Sequence, residues 1–247
     1  MSPSDIVLQT EGVVVRFGGN TAVDKVSIDI RAGAVTGLIG PNGAGKTTLY
    51  NCITGMQRFD AGRIVYEGQD ISKLASGKRA RMGMARTFQR LELFLSLSVR
   101  DNLRVAGDIV RSNGNRKFDV EAETDRVIEL TGLGDVADLD VSDIPTGRAR
   151  VVEVARALMT HPRLLLLDEP ASGQTEHETE KFAAMLQGLA DDGLAVCLVE
   201  HDLPLVMGLC TRIHVLDHGV LIASGTPAEV QSSSAVIEAY IGSEVVA

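Results

Sequence analysis

No stretch of this sequence is long and apolar enough to span a bilayer. Its longest leucine run, Leu164 to Leu167, is four residues, against the roughly 20 apolar residues a spanning helix needs. If the protein works at a membrane, it works from outside the bilayer. Positive charge is also scarce: 24 Lys and Arg stand against 33 Asp and Glu, a net charge of −9 with no long run of one sign. A chain that wraps nucleic acid needs a basic face to neutralise phosphate, so no nucleic-acid partner is expected. Cysteine is limited to Cys52, Cys197 and Cys210, widely spaced and without a CxxC pair. That spacing argues against a thiolate metal site and fits reduced, buried thiols of a cytosolic protein. The stretch from Met1 to Gly12 carries an early acid and no apolar segment of leader length, so no signal peptide is expected. No internal repeat is visible, which excludes two fused copies of one unit.

What the sequence does have is alternation. Apolar residues make up 45% and charged residues 23%, ordinary for a globular chain of a size that buries a real core. Short apolar runs alternate with helix-length segments, the pattern of an α/β fold with a mainly parallel sheet. Val13 to Phe17 and then Val26, Ile28 and Ile30 read as antiparallel strands. Val35 to Ile39 reads as a strand entering a glycine-rich turn, with a helix from Lys46. Leu164 to Leu167, Ala195 to Val199 and Ile213 to Leu216 read as further strands, with short β pieces around Val220 to Ala223. Between Gln89 and Leu158 helical patterning takes over, clearest over Glu121–Leu130 and Val151–Met159. The polar stretch Ser112–Lys117 reads as an exposed loop inside it. The expectation is one unit over 1–247: an α/β core with an antiparallel β subdomain (1–88 and 160–247) and a helical subdomain (89–159).

Gly40, Pro41, Asn42, Gly43, Ala44, Gly45, Lys46 and Thr47 fill every fixed position of a P-loop, between a predicted strand and a predicted helix. Glycines let successive backbone N–H groups converge on a β-phosphate, and the helix N-terminus adds its positive end. Lys46 brings a point charge to the β- and γ-phosphates, and the Thr47 hydroxyl is placed to ligate Mg²⁺; Thr48 completes the expected cradle. GTPases and small-molecule kinases share this motif, so the class must be decided downstream.

Leu164 to Leu167 leads into Asp168, Glu169 and Pro170. A buried strand ending in Asp168 sets a carboxylate beside the P-loop to hold the Mg²⁺ shell. Glu169, one residue on, is positioned to polarise an attacking water as general base. A second apolar strand ends in Val199-Glu200-His201-Asp202, and His201 sits at a strand C-terminus, where α/β sheets place ligands. His161, His177, His214 and His218 lack such a setting.

P-loop, acidic strand end and histidine in this order resemble an ABC ATPase. The resemblance covers nearly the whole chain and implies that the bound nucleotide is ATP with Mg²⁺. It places Gln89, in Ala85-Arg86-Thr87-Phe88-Gln89, at the family's Q-loop, touching Mg²⁺ and the attacking water while its loop faces a membrane partner. Phe17 falls where the family stacks an aromatic ring on adenine. The stretches around Leu93-Phe94, Ser98 to Leu103, Leu205 to Gly208 and Val236 to Gly242 are similar to the ATPases of branched-chain amino acid importers. The implied assembly is a peripheral subunit on the cytoplasmic face of the membrane. It works with transmembrane permeases, a second ATPase subunit and, indirectly, an extracytoplasmic solute-binding protein. The motor of lipopolysaccharide-type exporters looks much alike, and a regulatory ABC protein with little turnover is the rival of another class.

Two segments depart from the family pattern. Where the signature loop normally reads LSGGQ or LSYGQ, this chain reads Ile144-Pro145-Thr146-Gly147-Arg148. Pro145 removes both a hydroxyl and a backbone N–H as phosphate donors, while Arg148 and Arg150 leave positive charge nearby. The loop after Pro170 reads Ala171-Ser172-Gly173-Gln174-Thr175, with Thr175 in place of an acid or amide. Such ATPases pair head to tail, each ATP lying between one chain's P-loop and the other's signature loop. A symmetric dimer would carry the altered loop twice, so a heterodimer is expected.

Overall fold

The computed structural model describes residues 5–113 and 115–244; one position of the expected 112–117 loop, Gly114, lies outside the described residues. The chain opens with β1 (Ile6–Phe17), β2 (Asn20–Val26), β3 (Asp29–Arg31) and β4 (Ala34–Ile39), then α1 (Lys46–Thr54). Next come β5 (Ala61–Tyr66), β6 (Gln69–Asp70), α2 (Ser76–Arg81) and β7 (Met84–Arg86). Three helices follow: α3 (Val99–Ser112), α4 (Val120–Leu130) and α5 (Thr146–Leu158). The rest alternates as β8 (Leu164–Asp168), α6 (Glu176–Asp191), β9 (Ala195–Val199), α7 (Leu203–Leu209), β10 (Arg212–Asp217) and β11 (Val220–Gly225), closing with α8 (Pro227–Gln231) and α9 (Ser234–Glu244).

Two sheets result. A six-stranded sheet runs β11-β10-β4-β9-β8-β7, with all pairs parallel except β10–β11. A smaller antiparallel sheet is built on β1, which pairs with β2, β3 and β5, with β6 beyond β5. No helix among the described residues is long and apolar enough to cross a membrane.

The central strands β4, β8 and β9 are buried along their whole length, as parallel strands covered on both faces must be. Side chains alternate across a strand, and here the alternation divides the core in two. Val35, Ile39, Leu165, Leu167, Val196 and Leu198 face a core shared with α5, α6 and α7. Leu38, Leu164, Leu166, Cys197 and Val199 face a core shared with β1, β2, β5 and α1. Cys52, Cys197 and Cys210 are free and buried, and burial pushes the Cys197 thiol up to about 12.

The helical stretch begins differently from its sequence outline. α3 carries Val99, Asn102, Leu103 and Ala106 on its buried face and is capped by Ser98, whose side chain accepts from the Asp101 N–H. α5 starts at Thr146, directly after Pro145, five residues before its first run of apolar side chains; proline's fixed φ makes it a natural entry to a helix.

Candidate active site

Strands β4, β7, β8 and β9 are parallel neighbours, so their C-terminal ends share one edge of the sheet. The glycine-rich turn leaves β4 there. Thr87 to Gln89 leave β7, Glu169 leaves β8 and His201 leaves β9. An open parallel sheet places its ligands at this edge.

The glycine-rich turn is shaped by sterics. Gly40 has φ 146°, and a Cβ there would lie 2.0 Å from the Leu216 carbonyl oxygen; at Gly45, φ 100°, it would lie 2.5 Å from the Ala22 carbonyl oxygen. Both positions need glycine. Lys46 folds into the cradle, its ammonium donating to the carbonyls of Gly40 (2.6 Å) and Pro41 (2.9 Å). Burial lowers its pKa, against the upward pull of Glu169 and Asp168. The N-terminus of α1 has no side-chain cap and no acid in its first turn, so its orphan N–H groups are left for an anion. These features fit a polyphosphate. For a cation the chain provides one carboxylate and a hydroxyl, Asp168 and Thr47. That donor set suits Mg²⁺, which keeps waters and substrate phosphates as its other ligands.

The sequence-expected site residues come together as follows. His201 Nε2 lies 2.9 Å from one carboxylate oxygen of Glu169, and Gln89 Nε2 donates to the other at 3.1 Å. Glu169 itself sits at φ 50°, a left-handed conformation that costs a non-glycine residue energy and concentrates at functional sites. Phe17, at the end of β1, is 51% exposed: a free ring face rather than a core residue. Pro145 precedes the first residue of α5, whose N-terminus likewise has no side-chain cap and no acid in its first turn. Arg148 is turned to the Asp135 carboxylate and the Gly132 carbonyl. Arg150 is turned inward, to the backbone around Gln89. The charge expected near the altered signature loop is therefore engaged elsewhere.

The altered loops meet in space. A Cβ on Gly147 would lie 3.1 Å from Gln174 Cγ, and one on Gly173 would lie 3.4 Å from the Thr146 methyl group. Thr175 has a local reason to be where it is: it caps α6 in a reciprocal capping box with Glu178.

Residues 23–172 match the family described as ABC transporter. The chain belongs to the ABC transporter family. It is similar over 97% of its length, with 37% identity, to a high-affinity branched-chain amino acid transport ATP-binding protein, LivG, of Salmonella typhimurium, covering 99% of that protein. BraF of Pseudomonas aeruginosa, likewise named a branched-chain amino acid transport ATP-binding protein, is 36% identical over 96% of this chain and 98% of its own. A nucleotide-free ATP-binding cassette from an ABC transporter has a TM-score of 0.85 at 31% identity, with 96% of this chain and 99% of that chain covered. The ADP conformation of another such cassette gives 0.85 at 32% identity, with the same coverage. Residues 220–246 match a second family, branched-chain amino acid ATP-binding cassette transporter. This ABC ATPase is an ATP hydrolase, with the mixed sheet and helices of the family's cassette.

Three polar side chains border these residues in this ABC ATPase: Arg86 and Glu200, to which sequence reasoning assigned no role, and Arg150, expected at the signature loop instead. Arg86 donates to Asp168 (3.0 Å) and to the Asn51 side chain of α1 (2.6 Å), its guanidinium lying against the rings of Tyr50 and Phe88. Glu200 is buried and accepts from the N–H groups of Ala171 (2.8 Å) and His201 (3.1 Å), so it fixes the histidine's backbone; burial raises its pKa. Arg150 is the third. A charged residue at a buried strand end or on a helix's inner face is the signal that points to them, because such charges are buried only when paired.

Proposed function

We propose that this chain is the ATP-hydrolysing subunit of an importer for branched-chain or other hydrophobic amino acids. The observation that carries the motor reading is the Glu169 carboxylate, held on one oxygen by His201 and on the other by Gln89, at the end of β8 beside the P-loop. The names of the 36–37% identical relatives and the match over residues 220–246 support the cargo. The latter is the specific reason to prefer amino acid import over lipopolysaccharide-type export.

In this reading Lys46 and the α1 N–H groups grip the phosphates of ATP, and Phe17 stacks on its base. Thr47 and Asp168 would hold Mg²⁺, which would supply positive charge to the phosphates; Gln89 would serve the metal and the attacking water from its place beside Glu169. Glu169 takes the water's proton, while His201 fixes the carboxylate's orientation. Arg86 aligns Asp168 with α1. The cassette spans 1–247, with 89–159 as its helical subdomain, and docks on permease subunits at the cytoplasmic face, fed by a solute-binding protein. Its second ATPase is a different chain, because Pro145 has no donor where a serine would meet the partner's nucleotide. A lost hydrogen bond to charged phosphate is worth about 1.5–3 kcal/mol, or about 10- to 150-fold in rate. Thr146 and Gly147 are what the loop still presents; Arg148, paired with Asp135 in this state, would join them only by breaking that pair.

The test is reconstitution with the co-purified membrane subunits in liposomes. ATP-driven uptake of labelled leucine that is lost with Lys46→Ala supports the reading. ATP-driven lipid extraction without amino acid uptake would overturn it.

A further inference from the structure

The segment that carries Gln89 is irregular and anchored at both ends. At its start the Thr87 N–H donates to the Leu166 carbonyl of β8 (2.9 Å). At its end Asn102 of α3 accepts from the Phe94 N–H (2.9 Å) and donates to the Phe94 carbonyl (3.0 Å). Between these anchors, three backbone groups are held by one helix, α5. Arg150 donates through Nη1 to the Phe88 carbonyl (3.0 Å) and through Nη2 to the Gln89 carbonyl (2.5 Å). Glu153, one turn on, accepts from the Glu92 N–H (2.9 Å) and closes the arrangement by pairing with Arg150 Nη1 (3.1 Å).

Both side chains are almost fully buried, Arg150 8% and Glu153 4% exposed. An ion pair so placed is a weak source of stability, since apolar residues of the same volume usually do as well. What it provides is register. A guanidinium fork that spans two successive carbonyls fixes where the peptide lies, whatever the side chains of the loop. The loop's one glutamine then reaches Glu169. One turn before Arg150 the same helix begins, with Pro145 preceding its first residues Thr146 and Gly147, the stretch assigned to a partner's nucleotide.

We propose that Arg150 and Glu153 are positioning residues that clamp the Gln89 loop to α5. Through them, the position of α5 sets whether Gln89 engages the hydrolytic carboxylate. The clamp couples the face this chain presents to its partner's ATP to the chemistry on its own ATP, and it does so without using the donors of the signature loop itself. The inference rests on the roles given above to Glu169 and Gln89.

Arg150→Lys keeps the charge and loses the fork. In the assembled complex it should lower kcat about 10- to 100-fold, the scale of an ångström's misplacement at a reacting centre. The KM for ATP, and the affinity of the isolated chain for a fluorescent ATP analogue, should stay within about 2-fold. In a Gln89→Ala background Arg150→Lys should lower the remaining turnover no further, because its target is gone. The double variant Arg150→Met with Glu153→Leu, which roughly keeps volume, should leave the melting temperature unchanged and show the same kcat loss. Equal fold-losses with and without Gln89, an unchanged kcat, or a matching loss of nucleotide affinity would each overturn the clamp. Glu169→Gln separates the two readings. If it turns over normally, the site assignment fails; if it is inactive while Arg150→Lys acts independently of Gln89, only the clamp fails.

Discussion

Replacing Glu169 by glutamine tests the hydrolytic centre with the least disturbance. The amide is isosteric, and glutamine tolerates φ 50° no worse than glutamate, so the strain of the turn is unchanged. His201 at 2.9 Å and Gln89 at 3.1 Å remain in reach of the new side chain. What is lost is the proton acceptor. General-base assistance contributes about 10²–10⁴-fold, equivalent to about 2.7–5.4 kcal/mol of barrier at 1.36 kcal/mol per tenfold. Nucleotide affinity is assigned above to other groups: Lys46, the glycine-rich backbone and Phe17. Phosphate release by the assembled complex should therefore fall by at least a hundredfold, while the dissociation constant of ATP for the isolated chain changes by less than about 3-fold. Turnover within about 3-fold of wild type would refute the assignment of Glu169 as base. A large loss of affinity together with turnover would show the residue to be structural instead.

The purified chain alone should be a weak ATPase, and mixing it with a partner that has an intact LSGGQ-like loop should raise its turnover; robust, concentration-independent hydrolysis by the monomer would contradict the composite site. In the proposed heterodimer, Lys46→Ala should stop transport whereas the equivalent change in the partner should leave a substantial fraction; equal losses would establish two equivalent sites. His214 bridges the Asp29 carbonyl and the Ser224 hydroxyl at 3.0 Å each, and burial holds its pKa below the usual range. The unfolded chain therefore takes up a proton that the folded chain refuses. Stability should be fully present above about pH 6.5 and fall as pH drops from there towards the folded pKa. Urea midpoints at pH 7.5 and 5.5 should differ less in His214→Gln, and an unchanged difference would count against His214 as the source.

The P-loop was readable because its chemistry imposes fixed residue types at fixed spacing, and the structure adds the steric reason at Gly40 and Gly45. The strands at residues 164–168 and 195–199 were readable because both faces are buried, leaving an unbroken apolar run. β7 was not: three residues, Met-Ala-Arg, carry no pattern, and they form a strand because β8 offers them a parallel edge. α3 was obscured because Asn102 and Gly107 share the buried face with Val99 and Leu103, diluting the helical period. The partners of Arg86, Arg150 and Glu200 were invisible for a deeper reason. Each of the three side chains acts on groups distant in sequence, Arg86 on Asp168 and Arg150 on the carbonyls of Phe88 and Gln89, and no local spacing records such a pairing.

The contact between Gly147 and Gln174, and between Thr146 and Gly173, bears on how this cassette can be re-engineered. The two segments that depart from the family pattern are not separate lesions that can be repaired one at a time. A consensus signature grafted onto α5 would have to settle against a neighbour, Gln174, that belongs to the unusual loop, and a consensus loop grafted after Pro170 would meet Thr146. Chimeras between this chain and a cassette with an LSGGQ loop should therefore exchange residues 144–148 and 171–175 together, as one structural cassette within the cassette.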